Sequence, residues 1–229
     1  LWGGETLAGS PGHWRRVGTF RPFRLVGGDR VAFEPWRSAC SICWELGIDW
    51  GRHRPEFTDM QRAWQDASST QRTSSVGRLF DAAAALLGLV ESVTYDGQAP
   101  ALVECAAGAV PDRSPLPLLG NAEIRIIDWA PLVLGLLNEE TPVRERAAAF
   151  HATLAATILA EAQHQRSIDG TSSVGLTGGV FQNRPLTERA VALLESDGFE
   201  IVLHERIPPN DGGLSFGQAV EFAAKSTAA

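Results

Sequence analysis

The last third of the chain alternates strand and helix twice, and each strand passes into its helix through a pair of glycines. Residues 173–176 read as a strand, 185–194 as a helix, 200–204 as a strand and 214–224 as a helix, with Gly178 and Gly179 at one joint and Gly212 and Gly213 at the other. Parallel neighbours need a crossover, and a helix between two short strands supplies it, so this alternation predicts adjacent parallel strands. It commits the chain to an α/β architecture. At 229 residues the chain is long enough for one large domain or two small lobes with a real core.

Upstream the pattern is mixed. Residues 1–33 read as paired strands: "LWGGETL", the turn "AGSPGH", then "WRRVGTFRPFRLV", with breaks at Pro22 and at Gly27 and Gly28. From 35 to 46 the spacing of Trp36, Ala39, Cys40, Cys43 and Trp44 predicts a helix, and another is expected around 60–66. The clearest helix is "TSSVGRLFDAAAALLGL", which Ser74 or Ser75 can cap and in which Leu79, Ala83, Leu86 and Leu87 form a buried stripe. Tyr95, Asp96 and Gly97 mark a turn into a short apolar helix. "PDRSPLPLLGNAE" reads as a connector, "IRIIDW" as a strand, and 141–164 as a long helix. The expected fold is a mixed sheet flanked by helices on both faces, with the two glycine turns on the same edge.

Composition closes several routes. The net charge is −7, which disfavours non-specific nucleic-acid binding. Lys225, in the C-terminal tail, is the only lysine, so neither a Walker-type lysine nor a Schiff-base lysine is available. Three cysteines cannot build a disulfide framework, and nothing resembles a signal peptide or a membrane span, so a cytoplasmic setting is expected.

The glycine turns are where a ligand would sit. Open α/β sheets gather ligands at the carboxyl ends of their strands, and helix N-termini there present unpaired N–H groups to anions. In "GLTGGVFQN", Gly178 and Gly179 follow the strand directly, where a side chain would keep a ligand off the backbone. Asn183, just before Pro185, can cap its helix or reach a ligand. In "PPNDGGLSFGQA", Asp211 can cap the last helix or hold a divalent cation beside a phosphate. A tight structural turn is the competing reading at both joints.

Six segments occur in one order over nearly the whole chain: "LWGGE", "GGDRVAFEPWR", "SSVGRLFDAAAALLGL", "TYDGQAPALVE", "LTGGVFQN" and "PPNDGGLSFGQA". Together they resemble the C-terminal region of the HypF carbamoyltransferases, maturation factors of NiFe-hydrogenases. That region is similar to the second lobe of the TsaD-type tRNA threonylcarbamoyl transferases, within the actin and sugar-kinase ATPase fold. The resemblance implies that residues 1–229 are such a lobe, a fragment of a longer chain, with a helical insertion at about 34–140.

The resemblance also implies roles. Gly77 and Asp81 match a Gly-x-x-x-Asp helix whose aspartate binds the ribose hydroxyls. Gly97 matches a glycine lying against the adenosine, and Gly178, Gly179 and Asn183 match a turn that contacts the nucleotide. Asp211 matches a metal-ligand aspartate, but the His-x-x-x-His pair that completes that site is missing, since the histidines stand at 13, 53, 151, 164 and 204. The implied parent converts carbamoyl phosphate and ATP into carbamoyl adenylate. It then passes the carbamoyl group to the C-terminal cysteine of the partner HypE, for cyanide-ligand synthesis. ATP and a divalent metal are its implied cofactors. No nucleophile is expected within this chain, and a homodimer is left open. The alternatives are a tRNA threonylcarbamoyl transferase or other ATP-dependent enzyme of the same fold, and a non-catalytic lobe that binds a partner.

Three other residue sets have plainer readings. Cys40 and Cys43 fall on one helix face beside Trp36 and Trp44, which favours burial as small apolar residues over a zinc site lacking further ligands. His151, after Phe150, reads as a core or interface histidine. Arg37 reads as a salt-bridge partner or a phosphate contact.

Overall fold

The computed structural model describes residues 2–66, 71–109, 111–119 and 123–227. Leu1 of the opening strand and residues 120–122 of the connector lie outside the described residues.

The N-terminal hairpin forms as expected. β1 (Glu5–Ala8) pairs antiparallel with β2 (Arg15–Phe20). β2 then runs parallel to β6 (Arg125–Ile127), and β6 antiparallel to β5 (Leu118–Leu119). The result is a mixed four-stranded sheet in the order β1-β2-β6-β5. The carboxylate of Glu5 anchors its edge: Oε2 accepts from the backbone N–H groups of Gly3 (2.6 Å) and Gly4 (2.9 Å). Its Oε1 accepts from the hydroxyls of Thr19 and Ser74. A side chain at Gly4 would stand 2.4 Å from the Ser74 carbonyl, so only glycine lets the two backbones approach this closely.

Helices carry the core. α1 (Pro35–Glu45), α3 (Val76–Leu86), α4 (Gln98–Ala106) and α6 (Val143–Asp169) stack around a cluster in which Phe80 meets Phe150 edge-on at 4.9 Å. α2 (Phe57–Gln65) covers the flank of α1 through Trp44 and Phe57. The expected stripe on α3 is buried, but so are Phe80, Asp81, Ala82, Ala84 and Ala85, because α1, α4 and α5 (Ala130–Leu137) pack on different sides of it. Small alanine side chains let three helices approach one. α5 itself was not expected from the sequence. α6 runs on to Asp169 and closes on Gly170 in the left-handed conformation, φ 75°.

The C-terminal unit has the predicted order. β7 (Ser173–Gly175) and β8 (Glu200–Val202) pair in parallel, α7 (Arg184–Ser196) crosses between them, and α8 (Leu214–Thr227) follows. The strands do not join one continuous sheet, as the sequence suggested. β7–β8 is a separate ladder, and so is β3 (Phe23–Leu25) with β4 (Gln71–Thr73). Each of these strands is three residues long, so the unit is held by the packing of α7 on α6 and β8 more than by its ladder. α8 exposes Leu214, Phe216, Val220 and Phe222, the last at 76%. Glu221 ties it to the hairpin by accepting from Gly12 N and Trp14 Nε1. No helix of the described residues is long and apolar enough to cross a membrane.

Candidate nucleotide site

Five of the six ordered segments meet at α3, and the sixth packs on the fifth. The opening glycines press on Ser74 and Ser75. Ser75 caps α3, its Oγ accepting from Arg78 N at 3.3 Å. Arg78 in turn donates to the Val31 carbonyl, in the loop that leads to α1. The turn at residues 94–97 delivers Gly97, φ 86°, to the start of α4, which packs on α3. The Gly179–Gln182 turn packs on α3 as well.

The two glycine turns also touch each other. Gly178 N donates to the Pro209 carbonyl at 2.7 Å, and Asn210 Nδ2 donates to Gln182 Oε1 at 3.3 Å. They share one edge, as the alternation predicted. Gly178 holds φ 112°, ψ 152°, a region that glycine alone enters readily. Around Gly97 and Gly178 a side chain would meet open space, so neither glycine is needed to relieve crowding within the chain. At Gly77 the nearest neighbour would be the Ser75 hydroxyl at 3.4 Å.

Asp81 is the charged group at the centre. It is 6% exposed, and Arg78 Nη1 stands 2.8 Å from Oδ2 one helical turn back. The pair is out of line for a hydrogen bond, and among the described residues Oδ2 has no donor of good geometry. Burial pushes the Asp81 carboxyl up to about 6; the Arg78 charge opposes this and the Asp96 carboxylate adds to it. Desolvation therefore outweighs the ion pair. Oδ2 is thus enclosed, with the Arg78 guanidinium as its charged neighbour, and it can accept from a further donor only where the surrounding side chains admit one.

Asn183 and Asp211 differ from this pattern. Asn183 is buried and caps α7, its Oδ1 accepting from Leu186 N at 3.2 Å and its Nδ2 donating to the Pro100 carbonyl at 3.4 Å. Of the two readings the sequence allowed, the cap is the one in place. Pro185 sits in the first turn of α7, where its missing N–H costs nothing. Asp211 does not cap the last helix, because Asn210, one residue earlier and still extended, accepts from Gly212 N at 3.0 Å. Asp211 is exposed, and the described residues contain no group of three His, Cys, Asp or Glu side chains placed to hold a metal ion. It can supply one ligand and no more.

The plainer readings hold for the other candidates. Cys40 and Cys43 are fully buried, and burial pushes both thiols up to about 12, so they behave as apolar residues. Arg37 is buried against Glu34 and Glu56. His151 is a core residue, enclosed by Phe80 and Phe150. The approach of Asp96 to Asp81 had no sequence signal, since it depends on how α4 docks. The Arg78–Asp81 pair did have one in its i,i+3 spacing.

Comparison with known proteins agrees with this fold. The family model described as "Carbamoyltransferase, Kae1-like Domain, second subdomain" matches residues 1–218. The carbamoyltransferase HypF of Rhodobacter capsulatus is 40% identical over 98% of this chain and 30% of its own length. That of Rhizobium leguminosarum bv. viciae is 36% identical over 95% and 29%. A crystal structure of full-length HypF in the phosphate- and nucleotide-bound form superposes with a TM-score of 0.87 at 26% identity, covering 97% of this chain and 30% of that one. The chain thus spans about a third of the length of these relatives. It belongs to the HypF carbamoyltransferase family, as an α/β chain matching the second subdomain of the Kae1-like domain.

Proposed function

We propose that this chain is the nucleotide-binding half of a carbamoyl-transfer site. In it Asp81 accepts hydrogen bonds from the ribose of a carbamoyl adenylate made from ATP and carbamoyl phosphate. The observation that carries this reading is the buried, raised carboxylate of Asp81 near Asp96 of the turn that leads to Gly97, on a helix against which the Gly179–Gln182 turn also packs. Asn183 holds the start of α7 directly behind the Gly178–Gly179 turn. The exposed apolar residues of α8 support the lobe reading, since a face of this kind is normally covered by further protein. A metal at Asp211 would need its other ligands from elsewhere in a full-length protein.

The acceptor in this reading is the C-terminal cysteine thiol of a HypE-type partner. Among the described residues Cys40 and Cys43 are buried with their thiols pushed up to about 12, and Cys105 is on the surface of α4. The setting is cytoplasmic. Incubating the full-length protein with ATP, carbamoyl phosphate and HypE tests the proposal. Intact-mass measurement is expected to show one carbamoyl group added at the terminal cysteine. Consumption of carbamoyl phosphate with an unmodified thiol, or carbamoylation that needs tRNA and threonine instead, contradicts it.

A further inference from the structure

The β7–β8 ladder is three residues long and ends where Gly175 faces Val202. Its exposed face is bracketed by two side-chain bonds that keep the same register. At one end Ser173 Oγ donates to Glu200 Oε2 at 3.0 Å. At the other, two residues past the ladder, Thr177 Oγ1 lies 2.9 Å from His204 Nε2. Thr177 is the residue before Gly178, and His204 opens the segment that leads through Pro208 and Pro209 to Gly212 and Gly213. A hydroxyl both donates and accepts, so this bond can form with either imidazole tautomer and with the imidazolium.

Resting on the nucleotide-site reading above, we propose that Thr177 and His204 are a positioning pair that fixes the spacing of the two glycine turns. The turns leave strands too short to hold them by backbone pairing alone. Beyond the strand ends they touch directly, through Gly178 N and the Pro209 carbonyl and through Asn210 and Gln182. A Cβ at Gly179 would lie 3.8 Å from that of Asn210, so the two turns pack side by side. A Cβ at Gly213 would stand 2.7 Å from the Pro208 carbonyl, so the second turn is folded closely back on its own entry segment. The Thr177–His204 bond ties the base of that segment to the base of the Gly178–Gly179 turn.

Both side chains are exposed, so the bond adds little to the stability of the fold. Its effect falls on binding instead. A turn already held in place need not be ordered by the ligand, and that ordering would otherwise be subtracted from affinity.

The test is a double-mutant cycle in the full-length protein, reading KM for ATP and kcat of carbamoyl transfer. Thr177→Val keeps the branched shape and removes the hydroxyl; His204→Phe keeps a ring and removes the nitrogen; His204→Gln brings back a polar group of similar reach. Each of the first two is expected to raise KM about fivefold with kcat within about twofold, the size of one lost hydrogen bond. The double variant is expected to show about the same fivefold rise, because one bond is lost only once. His204→Gln is expected to stay within about twofold of the parent. Should His204→Phe fail to fold, His204→Ala replaces it with the same expectation. Unchanged KM in both single variants, a double variant at the product of the two (about 25-fold), or a Gln variant as impaired as Phe overturns the proposal. Asp81→Asn run in parallel separates the two ideas. If it raises KM while the Thr177 and His204 variants do not, only the positioning role fails; if it leaves KM unchanged, the nucleotide site itself is misassigned and the proposal falls with it.

Discussion

Asp81→Asn is expected to weaken nucleotide binding and, at the same time, to stabilise the fold. The carboxyl is pushed up to about 6 from an ordinary 3.8, chiefly by burial. Between those two pH values the folded protein holds a proton that the unfolded chain has released. Stability therefore falls as pH rises through that window and stays lower above it. A neutral amide removes the loss, so the variant gains on the order of 1–3 kcal/mol at pH 7.5 and nothing below about pH 4. Binding moves the other way: losing one or two charge-assisted bonds of roughly 1.5–3 kcal/mol each weakens nucleotide affinity about tenfold or more. Calorimetry with a non-hydrolysable ATP analogue and urea unfolding at several pH values read the two effects separately. If Asp81 served only as the structural partner of Arg78, breaking a buried pair would instead destabilise by about 3–5 kcal/mol and leave affinity unchanged.

Trp129→Ala is expected to bring the largest loss of stability. The indole is fully buried between the end of β6 and the start of α5, donates from Nε1 to the Arg21 carbonyl at 2.6 Å and meets Phe23 edge-on at 5.9 Å. The Arg21 guanidinium lies 4.8 Å from the ring centroid. Removing the ring leaves a cavity where sheet and helices join, worth about 3–5 kcal/mol, and strands the Arg21 carbonyl. Trp129→Phe refills much of the volume and restores a substantial part of that loss. Urea unfolding of the chain should show midpoints in the order parent, Phe, Ala. A Phe variant as unstable as Ala would place the effect in the hydrogen bond and not in packing.

The same residues show what the sequence could reveal. The βαβα end was legible because its strands and helices have different periods and its joints carry glycine pairs; the parallel pairing of β7 with β8 followed. α3 was legible through its serine cap, but its burial on several sides was not, since a run of alanines has no polar face to contrast with. α5 escaped for a related reason. "APLVLGLL" is apolar at almost every position and so carries no period. β4, with the polar sequence "QRT", is a strand only because β3 lies beside it. At the site, Gly97, the glycine turns and the Asn183 cap are local and could be read. The approach of Asp96 to Asp81 joins residues of different elements, and only the packing of α4 on α3 brings them together.

In the proposed function an adenosine nucleotide sits on the Asp81 face of this chain. Photolabelling the full-length protein with azidoadenosine triphosphate, followed by peptide mapping, tests it most directly. Labelled peptides are expected within residues 77–97 or 178–183, lost in Asp81→Asn and protected by excess ATP. Labelling confined to peptides outside this chain, with the 77–97 and 178–183 peptides recovered unmodified, would contradict it.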